Sequence, residues 1–180
     1  MDNDFSIQMI RPHLNNIPDY SLPSGYSIRW YKHGDEQPWY DIQKKADLYN
    51  EITSELFGQQ FGSDTHLISQ RQFFILNENN TPVGTSSAWF SGRTRDDSWG
   101  RVHWVAILPE YQGRGLAKPL MSITCRRLHE LNHSTAYLTT SPKRPAALHL
   151  YVKFGFVPEI TSEADRKIWA DVKKEYNLNF

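Results

Sequence analysis

Three stretches of this chain carry residue types whose spacing could do chemistry. Gln112-Gly113-Arg114-Gly115 follows an apolar β-type run, Val102 to Leu108, and precedes Leu116, Leu120, Ile123 and Leu128 at helical spacing. Two glycines let a backbone approach a ligand closely. The free N–H groups and positive end of the following helix then face any phosphate placed there. Tyr151 lies in a second stretch, Ala147 to Phe156, where a short helix runs into Gly155-Phe156. Its phenol is a hydrogen-bond donor with an unperturbed pKa of ~10. The third feature is His103, on the strand before the glycine loop; an imidazole of pKa ~6.5 can act as a base near neutrality. Its place two residues before Val105 would put both side chains on one face of a regular strand.

A fourth pattern, His129-Glu130-Leu131-Asn132-His133, has the spacing that on a helix offers two imidazoles to zinc with a glutamate as base, a metallohydrolase arrangement. The helix is expected to fade near Asn132 and spacing identifies no third ligand, so no metal is expected. The lone Cys125 sits among apolar helix positions and can form no internal disulfide, which reads as a reducing compartment. With no run of transmembrane length and no basic leader before Asp2 and Asp4, the expectation is a cytoplasmic protein without a membrane partner. Zero formal net charge with dispersed basic residues argues against a nucleic-acid partner.

At 180 residues the chain suits one domain. Pro12, Pro18 and Pro23 among asparagines predict that residues 1–24 form an extended arm outside the sheet, leaving 25–180 as the domain. Tyr26 to Tyr31 alternates as a first strand, and Trp39, Ile42, Ala46 and Tyr49 mark a first helix. A short helix is expected from Glu51 to Phe57, stopped by Gly58, then a loop to Ser69. Arg71–Leu76 and Val83–Phe90 form a hairpin about the Asn77–Pro82 turn, and a second turn, Ser91–Ser98, leads into the motif strand. After the glycine loop and its helix, Thr135–Thr140 returns parallel to the motif strand through a helical crossover. Pro145 opens a helix closed by Gly155, β structure resumes at Phe156–Ile160, and Ser162 with Asp165 caps a last helix.

This order, with Gln112, Gly115 and Ala117 at the places of a Gln/Arg-x-x-Gly-x-Gly/Ala pattern, resembles the GNAT superfamily of acyl-CoA-dependent N-acyltransferases over about residues 26–156. The resemblance implies an α/β (α+β) GNAT fold: a mixed, mostly antiparallel central sheet flanked by helices, with the family's parallel fourth and fifth strands splayed around acyl-CoA. It implies acetyl transfer from acetyl-CoA to a primary amine, small-molecule or peptide, by direct attack. It also implies that Val105, Ala106 and Ile107 offer backbone to the pantetheine. The N–H near Val105 would polarise the thioester carbonyl, a role worth about 2.7–4 kcal/mol when a comparable donor is removed. The pyrophosphate would rest on Gly113, Arg114, Gly115, Leu116, Ala117 and Lys118, with Gln112 at the mouth. Arg114 and Lys118 either add charge there or stand as solvated helix residues.

Tyr151 takes the place of the family's motif-B tyrosine and would hydrogen-bond the departing sulfur. Where many members carry an asparagine seven residues earlier, this chain has Arg144. Where members often place a glutamate base, it has Arg101 and His103; His103 is either the candidate base or a strand histidine satisfied within the fold, and the sequence does not settle the base. A non-catalytic acyl-CoA-binding module on the same fold is the alternative reading, and the resemblance allows a homodimer. The walls of an acceptor site are expected from residues 39–61, from the 91–100 loop and from the C-terminal segment.

Overall fold

A computed structural model describes residues 6–90 and 98–180. Seven strands form one sheet in the order β2-β3-β4-β5-β6-β1-β7: β1 Ile7–Arg11, β2 Ser27–Trp30, β3 Gln72–Leu76, β4 Pro82–Phe90, β5 Trp99–Ile107, β6 Thr135–Thr140 and β7 Val157–Pro158. Every neighbouring pair is antiparallel except β5 and β6, which run parallel through the crossover helix α4, Ala117–Glu130. The mixed, mostly antiparallel sheet flanked by helices is the architecture expected from the sequence.

β4 lies inside the sheet because both of its faces can be covered. Val83 to Trp89 are all buried. Alternation turns Ser86 and Ala88 toward α4, where Thr124 Oγ1 donates to Ser86 Oγ at 2.8 Å. Trp89 faces the other way, against Phe61, with ring centroids 5.0 Å apart. That second face is closed by α1 (Glu36–Ala46), α2 (Leu56–Phe61) and α3 (Thr65–Ser69), around the fully buried Trp39, whose ring meets Phe57, Phe61 and Trp104 edge-on. On the first face α5 (Pro145–Lys153) and α6 (Glu163–Tyr176) join α4, packing Leu148, Phe154, Trp169 and Val172 with Met121, Cys125 and Leu128. The predicted Ser162/Asp165 cap of α6 is a reciprocal capping box.

Three expectations are corrected. The loop expected to run to Ser69 holds α3, whose N-cap Asp64 accepts from the Leu67 N–H at 3.0 Å. Residues 7–11, placed in an arm outside the sheet, form β1 between β6 and β7, with Ile7, Met9 and Arg11 buried. The prolines that argued against a strand all follow it. Residues 12–23 then run beside α4: Tyr20 N–H donates to Ser122 Oγ, whose hydroxyl donates to the Pro18 carbonyl at 2.7 Å. The helix expected at 51–57 forms instead at Leu56–Phe61, passing through Gly58 and ending at Gly62, φ +73°. Phe57 and Phe61, four apart, both bury against Trp39, and that packing outweighs the low helix propensity of Gly58. The second turn, at 91–98, lies almost wholly outside the described residues. Among the described residues no helix is long and apolar enough to cross a membrane.

Candidate active site

β5 and β6 pair only at Trp99↔Thr135, Gly100↔Ala136 and Arg101↔Tyr137. From Val102 onward the two strands diverge, so the β6-facing edge of β5 has backbone N–H and C=O groups with no strand partner. On its other side β5 stays paired with β4, but irregularly: Thr85 faces Ala106 and Ser87 faces His103, so Trp104 and Val105 together oppose Ser86. This is a β-bulge. Trp104 adopts φ +49°, a left-handed backbone that costs a non-glycine residue roughly 1–2 kcal/mol. Gln43 Nε2 holds the bulge by donating to the Trp104 carbonyl at 3.0 Å.

The bulge breaks the alternation that would set His103 and Val105 on one face. Instead the consecutive residues His103 and Trp104 both turn toward α1 and α2: the His103 ring meets Phe61 at 5.6 Å, and Trp104 meets Trp39 at 5.3 Å. Gln60, on α2, sits between them. Its Oε1 lies 3.1 Å from both Trp104 Nε1 and His103 Nε2. His103 is 5 % exposed, and burial together with the Arg101 charge pushes its pKa well below the ordinary imidazole value. The base near neutrality expected from the sequence is therefore a neutral and weakly basic imidazole.

A cavity of about 260 Å³ opens where the strands part, walled by Val102–Val105 of β5, Leu138–Ser141 of β6 and its following loop, Gln43, Asp47, Tyr49, Asn50 and Gln60 opposite, and Tyr151. Tyr151 is 8 % exposed on α5, and burial pushes its phenol up to about 12, with the Arg144 charge pulling the other way. Arg144 spans the cavity rim. Its Nη2 donates to Asp47 Oδ1 at 2.8 Å, its guanidinium lies over the Tyr49 ring at 4.7 Å, and Tyr49 Oη donates to the Lys143 carbonyl at 2.9 Å. Asp47 also accepts from the Tyr49 and Asn50 N–H groups and from Asn50 Nδ2. Burial alone would raise its pKa, but these donors, Arg144 foremost, hold the carboxyl below its ordinary value. Neither Asp47 nor Gln60 carried a sequence signal; a polar residue on an amphipathic helix or in a loop has no readable partner until the fold is known. From the 39–61 region, where an acceptor wall is expected, Gln43, Asp47, Tyr49, Asn50 and Gln60 line the cavity. Among the described residues the C-terminal segment lines none of this cavity, and residues 91–97 lie outside those described.

The glycine loop lies past the far end of the open edge. Gly113 and Gly115 have φ +75° and +79° and are exposed; a Cβ on Gly113 would meet nothing within 4 Å, and one on Gly115 only Pro23 Cγ at 3.6 Å. The loop delivers the chain into α4, whose N-cap Leu116 makes no side-chain capping bond. The N–H groups of its first turn therefore face outward without intrahelical acceptors. Gln112 Nε2 donates back to the Ile107 carbonyl at 3.1 Å, tying the loop to the end of β5. Arg114 lies over Tyr111 at 4.9 Å and Lys118 over Tyr20 at 5.4 Å. The structure thus brings Tyr151, His103 and Val105 to one cavity, sets Ala106 and Ile107 further along the same strand, and gathers residues 112–118 beyond its end.

The zinc pattern is not assembled. α4 ends at Glu130, Asn132 turns left-handed at φ +63°, and His133 lies beyond the helix with Nε2 3.1 Å from Arg71 Nη1. Among the described residues no group of three or more His, Cys, Asp or Glu could hold a metal ion. Cys125 is fully buried, and burial raises its thiol to about 12, so it presents no thiolate.

A sheet splayed beside a bulged strand, with a glycine loop feeding a helix N-terminus, defines the class. The sequence model of the acetyltransferase (GNAT) family matches residues 27–156, and the chain belongs to that family. It is similar to mycothiol acetyltransferases of Tsukamurella paurometabola (42% identical over 169 residues, 83% of this chain and 54% of that protein) and Streptomyces griseus (28% over 147 residues, 80% and 46%). The chain spans about half the length of these curated relatives. Among solved structures it resembles a GCN5-related N-acetyltransferase from Sphaerobacter thermophilus, with TM-score 0.70 at 19% identity over 86% of this chain and 48% of that one. It also resembles the ribosomal-protein-S18-alanine N-acetyltransferase of Escherichia coli, with TM-score 0.62 at 18% identity over 75% and 79%.

Proposed function

We propose that this chain transfers an acetyl group from acetyl-CoA to a primary amine by direct attack. The observation that carries the reading is the open β5 edge, which runs from a cavity holding His103 and Tyr151 to an uncapped helix N-terminus behind two left-handed glycines. An acyl-CoA has the matching parts: a thioester for the cavity, pantetheine amides for the strand edge, and a pyrophosphate for the loop and the N–H groups of residues 113–118.

In this reading the neutral amine attacks the thioester carbon, forming the C–N bond while the carbonyl oxygen takes up charge. The Val105 N–H stabilises that oxygen. Collapse breaks the C–S bond and leaves the sulfur as thiolate. With Tyr151 near 12 and a thiol near 8.5 if free cysteine stands in for CoA, full proton transfer from the phenol would be uphill by roughly 5 kcal/mol. Tyr151 therefore donates a hydrogen bond to the developing thiolate and keeps its proton. Direct attack needs no acyl-enzyme, in keeping with the buried thiol of Cys125.

The acceptor class is a primary amine reached through the wall formed by Gln43, Asp47, Asn50 and Gln60. An α-amine of pKa ~8 gives up its proton at pH 7 for about 1.4 kcal/mol, against about 4.6 for a lysine-type amine of pKa ~10.4, so a weakly basic His103 suits the former better. The names of the curated relatives make the amine acceptor of mycothiol acetyltransferases the first to try. The test is release of free CoA and a mass gain of one acetyl group on a panel of that acceptor, amino acids, polyamines and peptide N-termini. Turnover of any of them supports the reading; tight acetyl-CoA binding without turnover of any amine would leave the non-catalytic binding module in its place.

A further inference from the structure

We infer that Gln60 is the positioning residue of the acyl-transfer site, fixing His103 as the Nε2–H tautomer so that Nδ1 carries the lone pair that takes the proton from the attacking nitrogen. The inference rests on the acetyl-transfer reading above and deepens it. Its basis is a chain of donor and acceptor assignments. An indole N–H can only donate, so the side-chain atom of Gln60 facing Trp104 Nε1 at 3.1 Å must be the amide oxygen. That same oxygen lies 3.1 Å from His103 Nε2. An oxygen acceptor requires a hydrogen on Nε2, and a neutral imidazole then has its lone pair on Nδ1.

The arrangement exists only because of the bulge. In a regular strand consecutive side chains point to opposite faces, and a single glutamine could not meet both His103 and Trp104. The left-handed Trp104, held through its carbonyl by Gln43, brings them together. Two neighbouring polar residues from α1 and α2 thus set first the backbone and then the tautomer. The chemistry balances simply. As the C–N bond forms, the amine nitrogen becomes cationic; its proton passes to Nδ1, the imidazole becomes an imidazolium hydrogen-bonded to Gln60, and the electron pair of the broken C–S bond leaves on sulfur.

The groups around His103 are Arg101 on its own strand, the uncharged Gln60 and Phe61 of α2, Ser87 opposite it on β4, and, on the cavity wall, Tyr151 and the paired Asp47 and Arg144. Arg101 and burial both disfavour the imidazolium. A carboxylate in place of the Gln60 amide would favour it while still accepting from both donors.

The test uses the full chain with Gln60→Leu and Gln60→Glu. The first readout, long-range ¹H–¹⁵N NMR of the His103 ring without any substrate, is expected to give a protonated Nε2 and an unprotonated Nδ1 in the wild type. That preference should persist in Gln60→Glu and be lost in Gln60→Leu. The second is the pH–rate profile. Gln60→Leu should lower kcat by about 10²-fold, the lower end of what a positioned base contributes, with KM for acetyl-CoA unchanged; Gln60→Glu should retain activity with its acidic limb moved to higher pH. A wild-type ring protonated on Nδ1 would overturn the assignment, as would a Gln60→Leu variant with unaltered kcat and pH profile. Because the NMR readout needs no acyl transfer, absence of turnover in every protein would refute the acetyl-transfer reading while the ring signals still judge the tautomer.

Discussion

Replacing Tyr151 by phenylalanine separates two things a phenol could do at this site. If Tyr151 supplied a proton to the sulfur, its ionisation would appear in the pH–rate profile and the hydroxyl would be indispensable. Burial pushes the group up to about 12, some 3.5 units above a thiol, and at about 1.36 kcal/mol per unit that gap opposes transfer by roughly 5 kcal/mol. What remains is a hydrogen bond to an ionised acceptor, worth about 1.5–3 kcal/mol. Because the thiolate exists only as the C–S bond breaks, the loss falls on kcat, by about 10- to 150-fold, with KM for acetyl-CoA unchanged. Tyr151→Phe should keep the wild-type melting temperature within a few degrees, since the ring's packing against Phe156 is retained. The assay is steady-state CoA release from pH 6 to 10 in both proteins. The wild type should show no alkaline limb from Tyr151 below pH 10, and the variant should run parallel beneath it. A wild-type limb near pH 8–9 that disappears in the variant would refute this reasoning, as would an unchanged kcat.

Two further predictions concern the cavity wall. Asp47→Asn removes the charge that Arg144 Nη2 engages at 2.8 Å, and should cost about 1.5–3 kcal/mol by urea unfolding at pH 7. Since the native carboxyl titrates below its unfolded value, its stabilisation is present above about pH 4 and fades as pH falls through the folded pKa, so the difference between the two proteins should shrink in acid. His103 has a native pKa well below the unfolded ~6.5, so the unfolded state binds the extra proton first and stability should fall as pH drops below 6.5. His103→Gln should flatten that dependence, read as the urea midpoint at pH 5 against pH 7.5.

Much of the fold was legible because its signals are local. The glycine loop, the proline-opened α5 and the Ser162/Asp165 box are each defined within a few residues, and each formed where expected. β1 was hidden because Pro12, Pro18 and Pro23 disfavour strand pairing just downstream of it, although Ile7 and Met9 carry the alternation of a half-buried strand. At the site, the loop could be read from its glycines and the helix after it, and Val105 and Tyr151 were implied by the family resemblance, but the bulge was not. Nothing in the types of Trp104 or Val105 calls for a left-handed residue; the conformation is held by Gln43, distant by 61 positions in sequence. Everything that depends on the bulge was therefore unreadable: the shared face of His103 and Trp104, the Gln60 amide between them, and the burial that lowers the pKa of His103. The Arg144–Asp47 pair, 97 positions apart, was beyond reach for the same reason.

The central claim is that the β5 edge and the loop after it bind acyl-CoA. Isothermal titration of acetyl-CoA into the wild type, Gly115→Ala and Gly115→Glu tests it most directly. Both variants carry the same left-handed strain at φ +79°, roughly 1–2 kcal/mol, and only the second adds a carboxylate where the pyrophosphate would lie. The account predicts micromolar binding by the wild type, retained within about tenfold by the folded alanine variant and abolished in the folded glutamate variant. No heat of binding from folded wild-type protein, or equal affinity in the alanine and glutamate variants, would contradict it.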